Sequence, residues 1–98
     1  MAKVTFSSAG DTLVAYLSGE IDHHSAQYLR DEIDSLLQSR MPQTLILDFS
    51  EVSFMDSSGV GLILGRARRM QAAEGRLVVQ QPPAQIQKML ELARVAYV

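Results

Sequence analysis

Two adjacent serines, Ser57 and Ser58, lie in the stretch Phe-Met-Asp-Ser-Ser-Gly-Val-Gly, directly after an acidic residue and before a glycine. A serine hydroxyl can act as a nucleophile when a base activates it, or it can accept a phosphoryl group from another enzyme. Serine and aspartate are also preferred at the start of a helix, where free N–H groups tolerate a phosphate. The residue types therefore leave two interpretations open: Asp56 and its neighbours only cap a helix, or the same helix start presents a hydroxyl for modification.

A catalytic interpretation needs a histidine, and the chain has two, His23 and His24, next to Asp22. Ser57 or Ser58 could complete a Ser-His-Asp hydrolase with them, but neither serine lies in the Gly-x-Ser-x-Gly turn that many such enzymes use. Neighbouring residues of a helix point in different directions, so the histidine pair is poorly placed to share a metal ion. We therefore expect no metal site, and a small hydrolase is the minor hypothesis.

The following segment, Gly59-Val60-Gly61-Leu62-Ile63-Leu64-Gly65, resembles the glycine pattern of dinucleotide-binding loops. In such loops the first glycine follows its strand directly, whereas here about nine residues separate Gly59 from Phe49, the last residue of a predicted strand. The next predicted strand also lacks the acidic residue that would contact a ribose. We therefore expect no cofactor, and we expect Gly61 and Gly65 to let a helix lie close to the sheet.

The composition restricts the partners and the location. The 98 residues carry a formal net charge of −2 and no cysteine, which fits a reducing compartment. Without an excess of Lys and Arg the chain is not expected to bind nucleic acid, and the cluster of Arg66, Arg68 and Arg69 is interpreted as a solvated helix face. No apolar run approaches the ~18 residues of a membrane span, so we expect a cytoplasmic protein without membrane association.

The N-terminal third begins with a strand pair. Residues 4–6 and 13–17 are predicted as antiparallel strands, joined by a turn at Gly10 and Asp11, with Gly19 ending the second strand. A helix is then predicted from its N-cap, Asp22, as far as Pro42. Its apolar stripe consists of Ala26, Leu29, Ile33, Leu36 and Leu37.

The rest of the chain alternates strands and helices. Residues 45–49 and 77–79 are apolar runs typical of strands covered on both faces. Between them a loop and a helix are predicted, and Gly75 ends that helix, whose stripe is Val60, Ile63, Leu64, Ala67 and Met70. Pro82 and Pro83 open a third helix, with the stripe Ile86, Met89, Leu90 and Ala93, and residues 95–98 are predicted to begin another strand.

This order of elements predicts a single α/β domain. Strands that alternate with helices form parallel sheets through right-handed crossovers. We therefore expect a mostly parallel β-sheet with an antiparallel N-terminal strand and with helices packed on it.

Three segments together resemble a known family. They are Ser-Gly-Glu-Ile-Asp-His-His-Ser-Ala-Gln-Tyr-Leu-Arg-Asp-Glu-Ile at 18–33, the stretch 45–66 that contains the paired serines, and Gly-Arg-Leu-Val-Val at 75–79. They are similar to the anti-sigma factor antagonists, which are STAS-domain anti-anti-sigma factors. The run from Gly19 to His24 is most similar to the sporulation branch, which controls the first forespore sigma factor.

The resemblance implies a function and a set of residues. In this family an anti-sigma factor that is itself a serine kinase phosphorylates the serine equivalent to Ser57, and a serine phosphatase resets it. The unphosphorylated form binds the anti-sigma factor and releases the sigma factor. The implied partner-binding residues are Asp22, His23, Asp56, Ser58 and Gly59, and the resemblance implies no catalytic residue. The alternative is a STAS module of a general stress-response pathway.

The chain also departs from the family pattern. Residues 1–98 are interpreted as one STAS domain, in which the last strand and helix of the family are missing. An uncovered sheet edge invites pairing with another chain, so weak self-association through that edge is expected.

Overall fold

The structure is a computed structural model that describes residues 1–98. Its strands are β1 (Ala2–Ala9), β2 (Thr12–Ile21), β3 (Thr44–Met55) and β4 (Arg76–Gln80), and its helices are α1 (His23–Arg40), α2 (Ser57–Ala72) and α3 (Ala84–Leu92). The strands form one sheet in the order β1-β2-β3-β4, in which β1 is antiparallel to β2 and the other pairs are parallel. Both crossovers run in the same direction along the sheet, so right-handed connections place α1 and α2 on one face. The predicted fold class is confirmed.

The hydrophobic core lies between this sheet face and the helices. One continuous cluster of buried apolar side chains includes Leu17 of β2, Phe49 of β3, Ile33 of α1 and Leu90 of α3. Burying a side chain of this size stabilises the fold by about 1.5–3 kcal/mol. The cluster therefore fixes where each helix lies on the sheet, and with it the position of each helix start.

The inward face of α2 differs from the prediction at two apolar residues. Leu64 was predicted to be buried but is 41% exposed, whereas Leu62 is only 5% exposed. Arg66 was interpreted as solvated, yet it is 9% exposed. The segment around these residues is apolar on every side, so its periodicity did not distinguish the inward face from the outward one.

Strand β2 does not end at Gly19, as was predicted, but continues to Ile21. Gly19 pairs with Ala2 of β1 and has φ +86, a conformation that other residues rarely adopt. A Cβ atom at this position would overlap the carbonyl oxygen of Met1. Gly19 therefore allows β2 to lie close to the start of β1.

Strand β3 also continues beyond its predicted end, because the segment after Phe49 is strand and not loop. It pairs with the extended part of β2 as far as Ile21 and Met55, with register irregularities between Tyr16 and Ser18 and between Gly19 and Glu20. Exposed residues interrupt the apolar run here, which explains why the sequence indicated a loop. The extension carries the chain directly to the start of α2.

Asp48 holds the irregular part of β3 in place. Its Oδ1 accepts hydrogen bonds from Ser50 N at 2.9 Å and Ser50 Oγ at 2.6 Å, and its Oδ2 accepts one from Gln80 Nε2 at 2.7 Å. Burial raises the pKa of Asp48, but the hydrogen bonds from Ser50 and Gln80 outweigh that effect, so the pKa lies below its usual value of 3.8. The ionised carboxylate is therefore the form that the fold stabilises.

We expect Asp48→Asn to lower the free energy of unfolding at pH 7 by about 1–3 kcal/mol, because Ser50 and Gln80 then lose their charged, buried acceptor. A lowered pKa means that this contribution is complete above the ordinary aspartate pKa of 3.8 and is lost as the pH falls through the lower folded value. Urea unfolding between pH 7 and pH 2.5 would measure both effects. The matched control is Glu51→Gln at an exposed carboxylate of the same strand, and an equal loss in the two variants would contradict the role of Asp48.

Of residues 95–98, which were predicted to begin a strand, only Val98 makes strand-like hydrogen bonds, and residues 95–97 are irregular. Val98 alone lies beside β4, where its N–H donates to Val79 O and its carbonyl accepts from Gln81 N, both at 2.9 Å. The Tyr97 hydroxyl is held by Glu91 and Gln87 of α3. The hydrogen-bond pattern at Val98 is that of parallel strands.

Candidate functional site

Two helices start side by side at one edge of the sheet. Ile21 of β2 pairs with Met55 of β3, and each is followed by an aspartate that caps a helix. Asp56 N donates to Ile21 O at 3.1 Å, which ties the two starts together. The carboxyl ends of parallel strands are the usual location of sites in such folds. The fold therefore brings the segments around Asp22 and Ser57 together, although they are far apart in the sequence.

Asp22 caps α1 as predicted. Its Oδ1 accepts from Ser25 N at 2.9 Å, while Ser25 Oγ accepts from Asp22 N at 2.9 Å, which is a capping box. The hydrogen bond from the Ser25 backbone lowers the pKa of Asp22, and the one from its hydroxyl adds to that effect. The exposed Asp22 carboxylate is therefore fixed in place and charged at neutral pH.

Ser57 is the first residue of α2. Asp56 Oδ1 accepts from Ser58 N at 2.8 Å, so the cap binds the residue after Ser57. Ser57 is exposed, and its hydroxyl makes no hydrogen bond within the chain, whereas Ser58 is half-buried. The hydroxyl of Ser57 therefore faces solvent beside the positive end of a helix dipole, where an enzyme can reach it.

Gly59 is buried and lies where α2 touches the end of β3. A Cβ atom at Gly59 would overlap Cγ and Sδ of Met55. Since β3 runs to Met55, the predicted gap of about nine residues before Gly59 was wrong, although Gly59 lies inside the helix and not in a strand-to-helix turn. Gly59 therefore allows the close contact between α2 and Met55 of β3, and this contact positions the first turn of α2, which carries Ser57.

The histidines do not assemble a catalytic triad. Asp22 is engaged with Ser25 and not with a histidine. The rings of His23 and His24 lie edge to face, with their centroids 5.7 Å apart. The structure contains no group of three acidic, histidine or cysteine residues that is placed to hold a metal ion. His23 instead lies on the wall of a groove that it shares with Ser58.

This groove separates α1 from α2, and we call it the α1–α2 groove. It has a volume of about 380 Å³, and its lining includes His23, Arg30, Ser58, Gly61, Gly65 and Arg66. A Cβ atom at Gly61 or Gly65 would meet no atom within 4 Å. The expectation that these glycines let α2 lie close to the sheet was therefore wrong, because they face the open groove.

The buried position of Arg66 was not predicted from the sequence. Its Nε lies 2.9 Å from Asp34 Oδ1, and Arg69 Nη1 lies 3.7 Å from Asp34 Oδ2. Burial lowers the pKa of Arg66, and Arg30 lowers it further, while Asp34 raises it. The sequence did contain a sign of this burial, because Arg66 lies between Ile63 and Met70 on the predicted buried stripe of α2. A charged residue at such a position needs a partner of opposite charge.

The chain is similar to known proteins over most of its length. Residues 3–97 match the family described as STAS domain. The anti-sigma F factor antagonist of Lysinibacillus sphaericus is 37% identical over 83 residues, which cover 85% of this chain and 71% of that protein. The anti-sigma-B factor antagonist of Listeria monocytogenes is 29% identical over 69 residues, which cover 70% of this chain and 60% of that protein.

Solved structures of SpoIIAA, an anti-sigma factor antagonist, resemble the fold. The unphosphorylated form has a TM-score of 0.85 at 32% identity and covers 98% of this chain and 88% of its own. The phosphorylated form of SpoIIAA, a Bacillus cell fate determinant, has a TM-score of 0.78 at 32% identity. The match covers 98% of this chain and 91% of the SpoIIAA chain. None of the helices described above has the length and apolar character needed to cross a membrane.

Proposed function

This chain belongs to the STAS domain family and, within it, to the anti-sigma factor antagonists, and from that premise we propose that phosphorylation of Ser57 switches its binding to an anti-sigma factor. The unphosphorylated chain binds the anti-sigma factor and so releases the sigma factor. The phosphorylated chain does not bind. Because the relatives include the anti-sigma F factor antagonist and SpoIIAA, we assign the switch to sporulation and to the cytoplasm.

One observation carries the proposal: Ser57 presents an exposed hydroxyl, free of hydrogen bonds, at the first residue of α2. The neighbouring serine is half-buried, and its backbone is bound by Asp56. A helix start accepts a phosphate through its free N–H groups, so modification is compatible with the fold. The chain supplies only the hydroxyl and is no enzyme in this scheme, since the kinase brings the ATP and magnesium that phosphoryl transfer needs.

The switch is electrostatic. A phosphoserine adds about −1.5 to −2 charges at pH 7. Asp56 is the next residue, and Asp22 caps the helix that starts beside it. A partner surface matched to the neutral hydroxyl would have to bury the new charge among these acids, and an unpaired buried charge costs several kcal/mol, or roughly 3–5. We assign Asp22, His23, Asp56, Ser58 and Gly59 to the surface that the partner covers.

The test is phosphorylation by a purified anti-sigma kinase of the sporulation type with ATP, followed by mass spectrometry. We expect one phosphate, located on Ser57. Ser57→Ala should bind the kinase and remain unmodified, and the matched control Ser58→Ala should still receive its phosphate on Ser57. Transfer to Ser58 or no transfer would overturn the assignment. A serine phosphatase of the same pathway should remove the phosphate.

A second assignment, to a general stress pathway, rests on the similarity to the anti-sigma-B factor antagonist of Listeria monocytogenes. The two pathways differ in the kinase that recognises the chain. Parallel binding measurements with both types of anti-sigma factor would separate them, and we expect the sporulation type to bind more tightly.

A further inference from the structure

The α1–α2 groove is kept open by glycines that the fold itself does not require. Gly61 and Gly65 lie inside α2, where glycine disfavours a helix relative to alanine. An added Cβ at either position would meet no atom within 4 Å, and neither glycine has a positive φ. No packing or backbone constraint within the chain explains them, and their effect is to leave two positions on the α2 side of the groove without side chains.

A buried guanidinium faces the same groove. Arg66 is 9% exposed and lines the groove. Its Nε lies 2.9 Å from Asp34 Oδ1, but the N–H bond does not point at that oxygen, so the contact is an ion pair without a well-formed hydrogen bond. Its terminal nitrogens make no hydrogen bond within the chain. Arginine has five N–H donors, so this buried group retains capacity for a further acceptor.

A second guanidinium stands on the opposite wall. Arg30 of α1 lines the groove, with its side chain 47% exposed and only a 3.5 Å contact to its neighbour Asp31. Paired guanidinium groups bind a carboxylate well, because their planar forks match its two oxygens. The groove, with a volume of about 380 Å³, has room for a carboxylate side chain. The groove is therefore suited to a single acidic side chain.

We propose that the α1–α2 groove receives an aspartate or glutamate side chain of the anti-sigma factor, held by Arg30 and Arg66. The proposal rests on the proposed function, because a kinase that reaches Ser57 must cover the surface around it. Gly65 lies eight residues along α2 from Ser57, which is about 12 Å. An interface of standard size covers about 800 Å² per partner and so extends roughly 16 Å from its centre. The groove lies within that distance.

The test compares Arg30→Gln with Arg68→Gln by calorimetric titration against the purified anti-sigma factor. Both substitutions remove one exposed arginine from a helix, but only Arg30 lines the groove. We expect Arg30→Gln to weaken binding at least tenfold and Arg68→Gln to change it less than twofold. A third variant, Gly65→Ala, should raise the Tm by about 2–8 °C because alanine favours the helix, and should nevertheless weaken binding.

The outcomes separate this inference from the proposed function. If the original chain is bound and phosphorylated on Ser57 while Arg30→Gln and Gly65→Ala bind equally well, the groove is not a docking site and the proposed function stands. If the original chain is neither bound nor phosphorylated, both proposals are overturned. Weaker binding of both groove variants, together with the raised Tm of Gly65→Ala, would support the groove, because lost stability could not then explain it.

Discussion

Ser57→Asp is expected to weaken binding to the anti-sigma factor at least 100-fold, and phosphorylated Ser57 should weaken it further. A 100-fold loss corresponds to about 2.7 kcal/mol. That is below the cost of several kcal/mol for an unpaired buried charge. The carboxylate would be added beside Asp56 at the start of α2. The adjacent helix, α1, is capped by a second acid, Asp22. Isothermal titration calorimetry of the unmodified, substituted and phosphorylated chains would give the three affinities.

Two controls isolate the effect of charge at this position. Ser57→Ala removes the hydroxyl without adding charge and should bind within a few-fold of the original chain. Ser35→Asp adds the same charge at an exposed residue of α1, far along the helix from its start, and should leave the affinity unchanged. If Ser57→Asp and the phosphorylated chain both bind as tightly as the unmodified chain, the electrostatic switch is wrong.

Gly59→Ala is expected to lower the free energy of unfolding by about 1–3 kcal/mol, because an added methyl group overpacks the contact between α2 and β3. The new Cβ would overlap Cγ and Sδ of Met55, whose side chain is buried in the core and has little room to move aside. Relief of the overlap requires α2 to shift at its first turn, which carries Ser57. We therefore also expect slower phosphorylation of Ser57. Urea unfolding and the initial rate of phosphoryl transfer would measure the two effects.

A double-mutant cycle with Met55→Ala tests the cause. Met55→Ala alone should destabilise the chain by about 2–5 kcal/mol through the cavity that it leaves. In that background the methyl group of Gly59→Ala has room, so the double variant should be more stable than the sum of the single effects by about 1 kcal/mol or more. Gly61→Ala is the matched control on the same helix, because its Cβ meets no atom. Strict additivity in the cycle would show that Met55 is not the obstacle.

Much of the site follows from local chemistry in the sequence. Asp22 was predicted as a helix cap, and an acid followed by paired serines indicated a second helix start at Asp56. Caps act within one helical turn, so short segments specify them. The order of strands and helices likewise predicted the parallel sheet, since the connections allow few topologies. Residues on neighbouring crossovers of such a sheet come together at one edge, as the segments around Asp22 and Ser57 do.

Three features depend on contacts between residues far apart in the sequence, and only the tertiary structure decided them: the length of β3, the burial of Arg66 and the inward face of α2. The strand character of the segment after Phe49 depends on pairing with β2, which the exposed residues of that segment do not indicate. The burial of Arg66 depends on Asp34, which lies on another helix. The all-apolar segment of α2 allowed either Leu62 or Leu64 to face inward, and packing of the helix on the sheet selected Leu62. Short-range patterns determine the elements and their caps, but partners across the fold determine which face is buried and where a groove remains open.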